Sequence, residues 1–199
     1  MRVKTEARRQ IIIDTAKKAF TEQGVKQTSM SYIAEKCGGS KATLYNYFSS
    51  KEDIFAAVME SSVTFDVASA FQKLSTETDL KTALFDFGFH YLQSVLSPEL
   101  VAIRRMAMCD NSQSDISRYF YKNGPAKGQA IAAEYLSKQM EQGELIKSDP
   151  IVAAAQLNAL LDAELLGPYE MNLIDKPDDE QLRQVVETAI NSFLKIHQN

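Results

Sequence analysis

Tryptophan is absent from this 199-residue chain, which has only two histidines, two cysteines, five prolines and eight glycines. Each scarcity excludes something. With so little glycine and proline there are few turns, which argues for few, long elements. Cys37 and Cys109 are too few and too far apart for a disulfide framework, so a reducing cytoplasm is the expected compartment. His90 and His197 belong to no H-E-x-x-H or E-x-x-H pattern; helical metal sites lack their ligands, and no cofactor is expected. Cys109 as an oxidation sensor has no second cysteine beside it to support that reading. The opening residues hold no uninterrupted apolar core of signal-peptide length. No stretch approaches the roughly 18 apolar residues of a membrane span.

What is present is an ordinary balance for a soluble globular protein, 45% apolar and 24% charged. The net charge of −4 conceals an asymmetry: residues 1–52 carry ten Lys/Arg against five Asp/Glu, and the remainder twelve against twenty-one. A basic N-terminal quarter on an acidic body points to one end meeting a polyanion, although charge clusters are commonly no more than solvated faces.

Apolar residues recur with helical period almost throughout, and no run sustains strand alternation, so the chain is expected to be all-α. From Glu6 to Gln23, Ile12, Ala16, Ala19 and Phe20 make one stripe, and Gly24 stands where a helix C-cap glycine belongs. Thr28 or Ser29 can cap a short helix to about Lys36. The turn "CGGS" at 37–40 leads to another short helix over 41–47, and Ser49 or Ser50 starts a longer one with Glu52 and Asp53 in its first turn. The prolines, all beyond residue 97, punctuate the rest. Helices are predicted near 51–74, 79–96, 98–110, 114–123, 125–142, 150–167 and 178–197. A small unit, 1–50, should join a larger body, 51–199, inside a continuous helix.

Three helices within 48 residues, the last two short and joined by a glycine-bearing turn, fit a helix-turn-helix. Gly38 permits the tight turn because it takes positive φ without steric cost. Leu44 and Phe48, four apart, supply the buried face of the third helix. Lys41, Ala42, Tyr45 and Asn46 supply the free one, with Ala42 small enough for close approach to a major groove.

Residues 11–55 also resemble the DNA-binding region of the tetracycline-repressor (TetR) family, whose pattern runs from "F-x-E-x-G" through "IA" and "G-x-S" to "TLYxxFxSKExLF". The matching residues are Phe20, Glu22, Gly24, Ile33, Ala34, Gly38, Ser40, Thr43, Leu44, Tyr45, Phe48, Ser50, Lys51, Glu52 and Phe55. Two positions depart: Ile54 replaces a common leucine, and Gly39 replaces the usual apolar residue of the turn, which should remove a packing contact and loosen it. The resemblance implies that Lys41, Ala42, Tyr45 and Asn46 face the groove, with Asn46 suited to an adenine edge. It implies phosphate contacts for Thr43, Tyr47 and Lys51, and for Ser29 and Ser31 at the start of the preceding helix. Lys4, Arg8 and Arg9 would lie along the flanking backbone. Tyr47 as a cover for the core and Lys51 as a solvated side chain are the plain alternatives.

The body carries no comparable motif. By resemblance it would dimerise and bind a small molecule, and the segment from "FYKNGPAKG" to "DPIVAAAQ" loosely resembles one subgroup. The last helix has the stripe Leu182, Val185, Val186, Ala189, Ile190, Phe193 and Leu194; the helix from Pro150 mixes alanines with Leu157, Leu160, Leu161 and Leu165. Leu157, Leu161, Leu165, Val186, Ile190 and Phe193 are the candidate homodimer contacts, with burial inside one subunit the competing use. Phe89, His90, Arg105, Met106 and Tyr119 are the candidate effector contacts, with ordinary core packing again the alternative. The reading is a homodimeric, cytoplasmic, non-enzymatic regulator, taken as a repressor, that binds a palindromic double-stranded DNA operator and leaves it when a small molecule binds. A helical small-molecule carrier and a helical enzyme are the alternatives.

Overall fold

A computed structural model of the protein describes residues 5–63, 70–75, 79–108 and 115–198. Its helices are α1 Glu6–Gln23, α2 Met30–Lys36, α3 Lys41–Tyr47, α4 Lys51–Val63, α5 Leu80–Val95, α6 Pro98–Met108, α7 Asp115–Asn123, α8 Pro125–Gln142, α9 Pro150–Asp162, α10 Leu166–Glu170 and α11 Asp179–His197, with a 3₁₀ turn at Lys73–Ser75. Among the described residues there is no strand, only an isolated bridge between Leu145 and Gln198. No helix among them is long and apolar enough to cross a membrane. The middle of the helix expected over 51–74, the end of that expected over 98–110, Lys4 and Cys109 lie outside the described residues.

Side-chain caps set most of the starts. Thr5, Ser29, Ser40, Asp79, Asp149 and Asp178 each accept a backbone N–H of the helix they open, and Asp178 with Gln181 completes a reciprocal capping box. Ser29, not Thr28, caps α2; the Thr28 side chain is buried and donates to the Gly24 carbonyl at 2.8 Å.

One expected helix is two. The run from Pro150 stops at Asp162, and α10 starts at Leu166. Pro168 has no N–H for the Glu164 carbonyl, and its ring would crowd that carbonyl in a continuous helix. Two residues inside a new helix, proline is harmless.

The chain divides into two compact units: Met1–Ser62 with Ala102–Lys122, and Val63–Val101 with Asn123–Asn199. In the first, Ile12, Ile13, Ala16, Phe20, Ile33, Leu44, Phe48, Ile54 and Phe55 form the core, with the Phe20 and Phe55 rings 6.4 Å apart. In the second, α9 packs against α8 and α11, and α11 also against α5. Gly88 allows that last approach, because a Cβ there would lie 2.9 Å from Leu161 Cδ2 and 3.0 Å from Val186 Cγ1.

Candidate functional site

The turn between α2 and α3 is built by backbone geometry. Gly38 has φ 65°, and the Gly38 and Gly39 amides donate to the Glu35 and Ala34 carbonyls at 2.9 and 3.0 Å. This is a Schellman closure, in which one residue must be left-handed and glycine does so at least cost. Ser40 then caps α3, accepting from Thr43 N–H at 3.1 Å.

α3 buries Leu44 at 2% exposure and is closed by Phe48 at 5%, while Lys41, Ala42, Tyr45 and Asn46 are exposed. The four groove-facing candidates thus share the outer side of one short helix. Thr43 and Tyr47 flank it, half-buried. Lys41 rests its ammonium 5.9 Å from the Tyr45 ring centre, a weak exposed contact that a phosphate can displace.

Two phosphate candidates have intrachain duties as well. The Tyr47 hydroxyl accepts the Thr5 N–H at 3.1 Å, which ties the start of α1 to the end of α3 and leaves the O–H free to donate elsewhere. The Lys51 ammonium donates to the Val25 carbonyl at 2.6 Å and the Lys26 carbonyl at 3.3 Å. Lys51 is therefore not a loose solvated side chain: its charge-assisted bonds close the segment between α1 and α2, and its ammonium has a third N–H beyond these two. Lys51→Met is expected to destabilise the first unit by about 1–3 kcal/mol, since two bonds from a charged donor are lost. Urea unfolding followed by circular dichroism measures it.

Ser29 and Ser31 are both exposed, and the Ser29 hydroxyl already accepts from the Tyr32 N–H at 3.1 Å. Arg9 lies over the Phe48 ring at 5.4 Å and within 3.7 Å of Glu6. The sequence offered no signal for the Tyr47 and Lys51 anchors, because their partners are backbone groups, an N–H 42 residues away for Tyr47 and a carbonyl 26 residues away for Lys51.

The effector candidates fall in different units. Phe89 and His90 belong to the second, Arg105, Met106 and Tyr119 to the first. Phe89 is buried, and the Arg183 guanidinium lies 4.4 Å from its ring centre. Met106 is buried, and the Tyr119 hydroxyl donates to Glu60 at 3.0 Å. Burial and then the Glu60 carboxylate push the Tyr119 phenol above its ordinary value, so it stays a neutral donor. His90 lines a cleft of about 290 Å³ with Gln93, Ser94, Lys176, Asp179 and Leu182, a more polar lining than the aromatic and methionine-rich cavity expected.

The dimer candidates require a correction. Leu157, Leu161, Val186 and Phe193 have 0% exposure and Ile190 1%, all inside the core of their own second unit, and half-buried Leu165 packs against that core. Leu157, Leu161, Val186, Ile190 and Phe193 thus have next to no surface to offer a partner, and Leu165 keeps only part of its own. A stripe at helical spacing states only that a face is buried, and the protomer's own core uses this one. The outward positions of α9 include Ile151, Val152, Ala155 and Ala159, and those of α11 include Thr188 and Ile196.

Where α11 ends, the His197 ring stacks on Phe193 with centroids 4.5 Å apart, and its Nε2 lies 2.8 Å from Gln156 Oε1. Burial pulls the imidazole below its ordinary pKa. The fold thus holds a neutral ring that the unfolded chain protonates near pH 6.5. The stabilisation is complete above that value and declines as pH falls from it toward the lower folded value. The urea midpoint should drop between pH 7.5 and 5.5, and drop less in His197→Gln.

Comparison with known proteins gives the arrangement its context. Residues 12–58 match the bacterial regulatory proteins of the tetR family, and residues 82–199 match the C-terminal domain of AefR-like transcriptional repressors. The transcriptional repressor ComR of Escherichia coli is 31% identical over 174 residues, 84% of this chain and 82% of ComR. The transcriptional activator FasR of Mycolicibacterium smegmatis is 33% identical over 96 residues, 45% of this chain; the chain spans less than half of that relative, 44%. The solved structure of the flavonoid-responsive regulator FrrA superposes with a TM-score of 0.79 at 32% identity, covering 98% of both chains. One match takes in the helix-turn-helix and the other more than half of the chain, so this protein belongs to the TetR family of transcriptional regulators.

Proposed function

We propose that the protein is a homodimeric repressor that binds a near-palindromic operator through residues 1–50 and is released when a small molecule binds within residues 51–199. The observation that carries the DNA-binding half is the outer side of α3, where Lys41, Ala42, Tyr45 and Asn46 stand exposed over buried Leu44 and Phe48. Such a helix can enter a major groove, its amide can pair bidentately with adenine, and its flanks reach phosphates. Thr43, Tyr47, Ser29 and Ser31 are the phosphate contacts in this reading. Lys51 joins them in this reading through the third N–H of its ammonium, and also holds the backbone between α1 and α2.

One seven-residue helix reads too little sequence alone. A two-fold pair spaced about one DNA turn apart reads two half-sites. The second copy is proposed to dock on the outward sides of α9 and α11, where Val152, Ala155 and Ala159 follow one another at helical spacing. Small side chains there let helix axes approach closely.

Repression is favoured over activation by the AefR-like repressor match over 82–199 and by the length of the ComR alignment. FrrA is described as flavonoid-responsive, which supports a small organic effector here. An effector that binds the released state more tightly would shift the population of reading-helix spacings away from one DNA turn. Selection of bound fragments from random DNA, repeated with candidate effectors, tests the reading. An enriched near-palindrome supports it, and no enrichment of any sequence overturns it.

A further inference from the structure

Gly39 stands where the family pattern has an apolar side chain, and the space above it is occupied. A Cβ at Gly39 would lie 2.6 Å from Arg8 Nη2 and 3.8 Å from Arg8 Cζ. The Arg8 guanidinium therefore sits directly over the turn backbone, a position open to it only because residue 39 has no side chain. Arg8, Gly39, Ser40 and Thr43 line one small recess together. Arg8 remains half-buried rather than enclosed. Its neighbour Arg9 is engaged differently, over the Phe48 ring and near Glu6. The bond from the Thr5 N–H to the Tyr47 hydroxyl holds the first turn of α1 beside α3, so Arg8 is carried on an anchored element.

We infer that Gly39 and Arg8 form a phosphate-contacting pair: the glycine seats the guanidinium at the entry of the reading helix, where it takes a DNA backbone phosphate beside Thr43. The inference rests on the DNA-binding reading above. Its chemistry is that of a planar fork of donors, always charged, suited to two non-bridging phosphate oxygens at once. Two groups converge on that oxygen pair from adjacent elements, the Arg8 guanidinium and the Thr43 hydroxyl, which lies 2.9 Å from Ser40 Oγ. Arg8 is the contact and Gly39 the positioning residue. Gly39 has no positive φ, and the atom a new side chain would strike is the far end of a flexible arginine. A larger residue there should fold, and simply displace the guanidinium.

The test is the salt dependence of binding to a mixed-sequence duplex of about 30 base pairs, for the full-length parent, Arg8→Gln, Gly39→Val and the double variant. Arg8→Gln should reduce the log–log slope by about 0.9 per engaged protomer, so that between about 50 and 200 mM salt the variant loses three- to fourfold less affinity than the parent per phosphate released. Gly39→Val should give the same reduction with Arg8 still present, and the double variant should be no worse than either single one. Arg8→Lys should retain the slope while binding more weakly. If Arg8→Gln lowers the melting temperature but leaves the slope unchanged, Arg8 only shields the turn and the inference fails. Additive effects of the two substitutions would sever the pair. If the parent binds no duplex at any salt concentration, the DNA-binding reading itself fails, and that outcome is distinct from variants that match a binding parent.

Discussion

Asn46→Ala is expected to weaken operator binding by about 1–3 kcal/mol in each half-site, roughly five- to 150-fold, and by about twice that energy over a palindrome read by both protomers. Asn46 is exposed on the outer side of α3. Its loss should therefore leave the unfolding midpoint within about 0.5 kcal/mol of the parent. The measurement is titration of the selected fragment and of a scrambled duplex of equal length. A base contact weakens the first and spares the second. Equal weakening of both would make Asn46 a phosphate contact, and no change in either would remove it from the interface.

The second large effect separates core from interface. Phe193→Ala should destabilise the protomer by about 3–5 kcal/mol, because a fully buried ring leaves a cavity that its neighbours only partly fill. The loss is compounded where the ring stacks against His197 at 4.5 Å. Ala159→Glu, on the outward side of α9, should instead leave the far-ultraviolet circular dichroism unchanged and shift the sedimentation coefficient from that of the proposed dimer to that of a protomer. Part of any stability it loses would depend on protein concentration, as linkage between folding and association requires. If Phe193→Ala dissociated dimers without lowering protomer stability, the core placement of that stripe would be wrong.

These two substitutions divide along the line between what was legible and what was not. The left-handed Gly38 and the buried pair Leu44 and Phe48 were readable, and the cap of α2 was narrowed to Thr28 or Ser29. Each depends on residues within four positions of one another, where residue type and local backbone geometry decide the outcome. The fate of Leu157 and Val186 was not readable in the same way. Helical spacing says that a face is apolar but does not name its partner, and here both are enclosed in the protomer's own core, Val186 against Gly88 of α5. The break between α9 and α10 was partly visible in Gly167-Pro168, yet the helix stopped well before the proline, at Asp162.

The sequence by itself determined an all-helical chain, the position and polarity of the reading helix, and membership of the TetR family, because all three follow from local spacing and a dense local motif. Only the tertiary structure decided what the long-range partners do. It committed the Lys51 ammonium to two backbone carbonyls, filled the space at Gly39 with the Arg8 guanidinium, and used the last helix's apolar stripe inside the protomer. Backbone acceptors carry no residue identity, and the burial of a side chain depends on every element that packs near it. Neither is written in a pattern of neighbours along the chain.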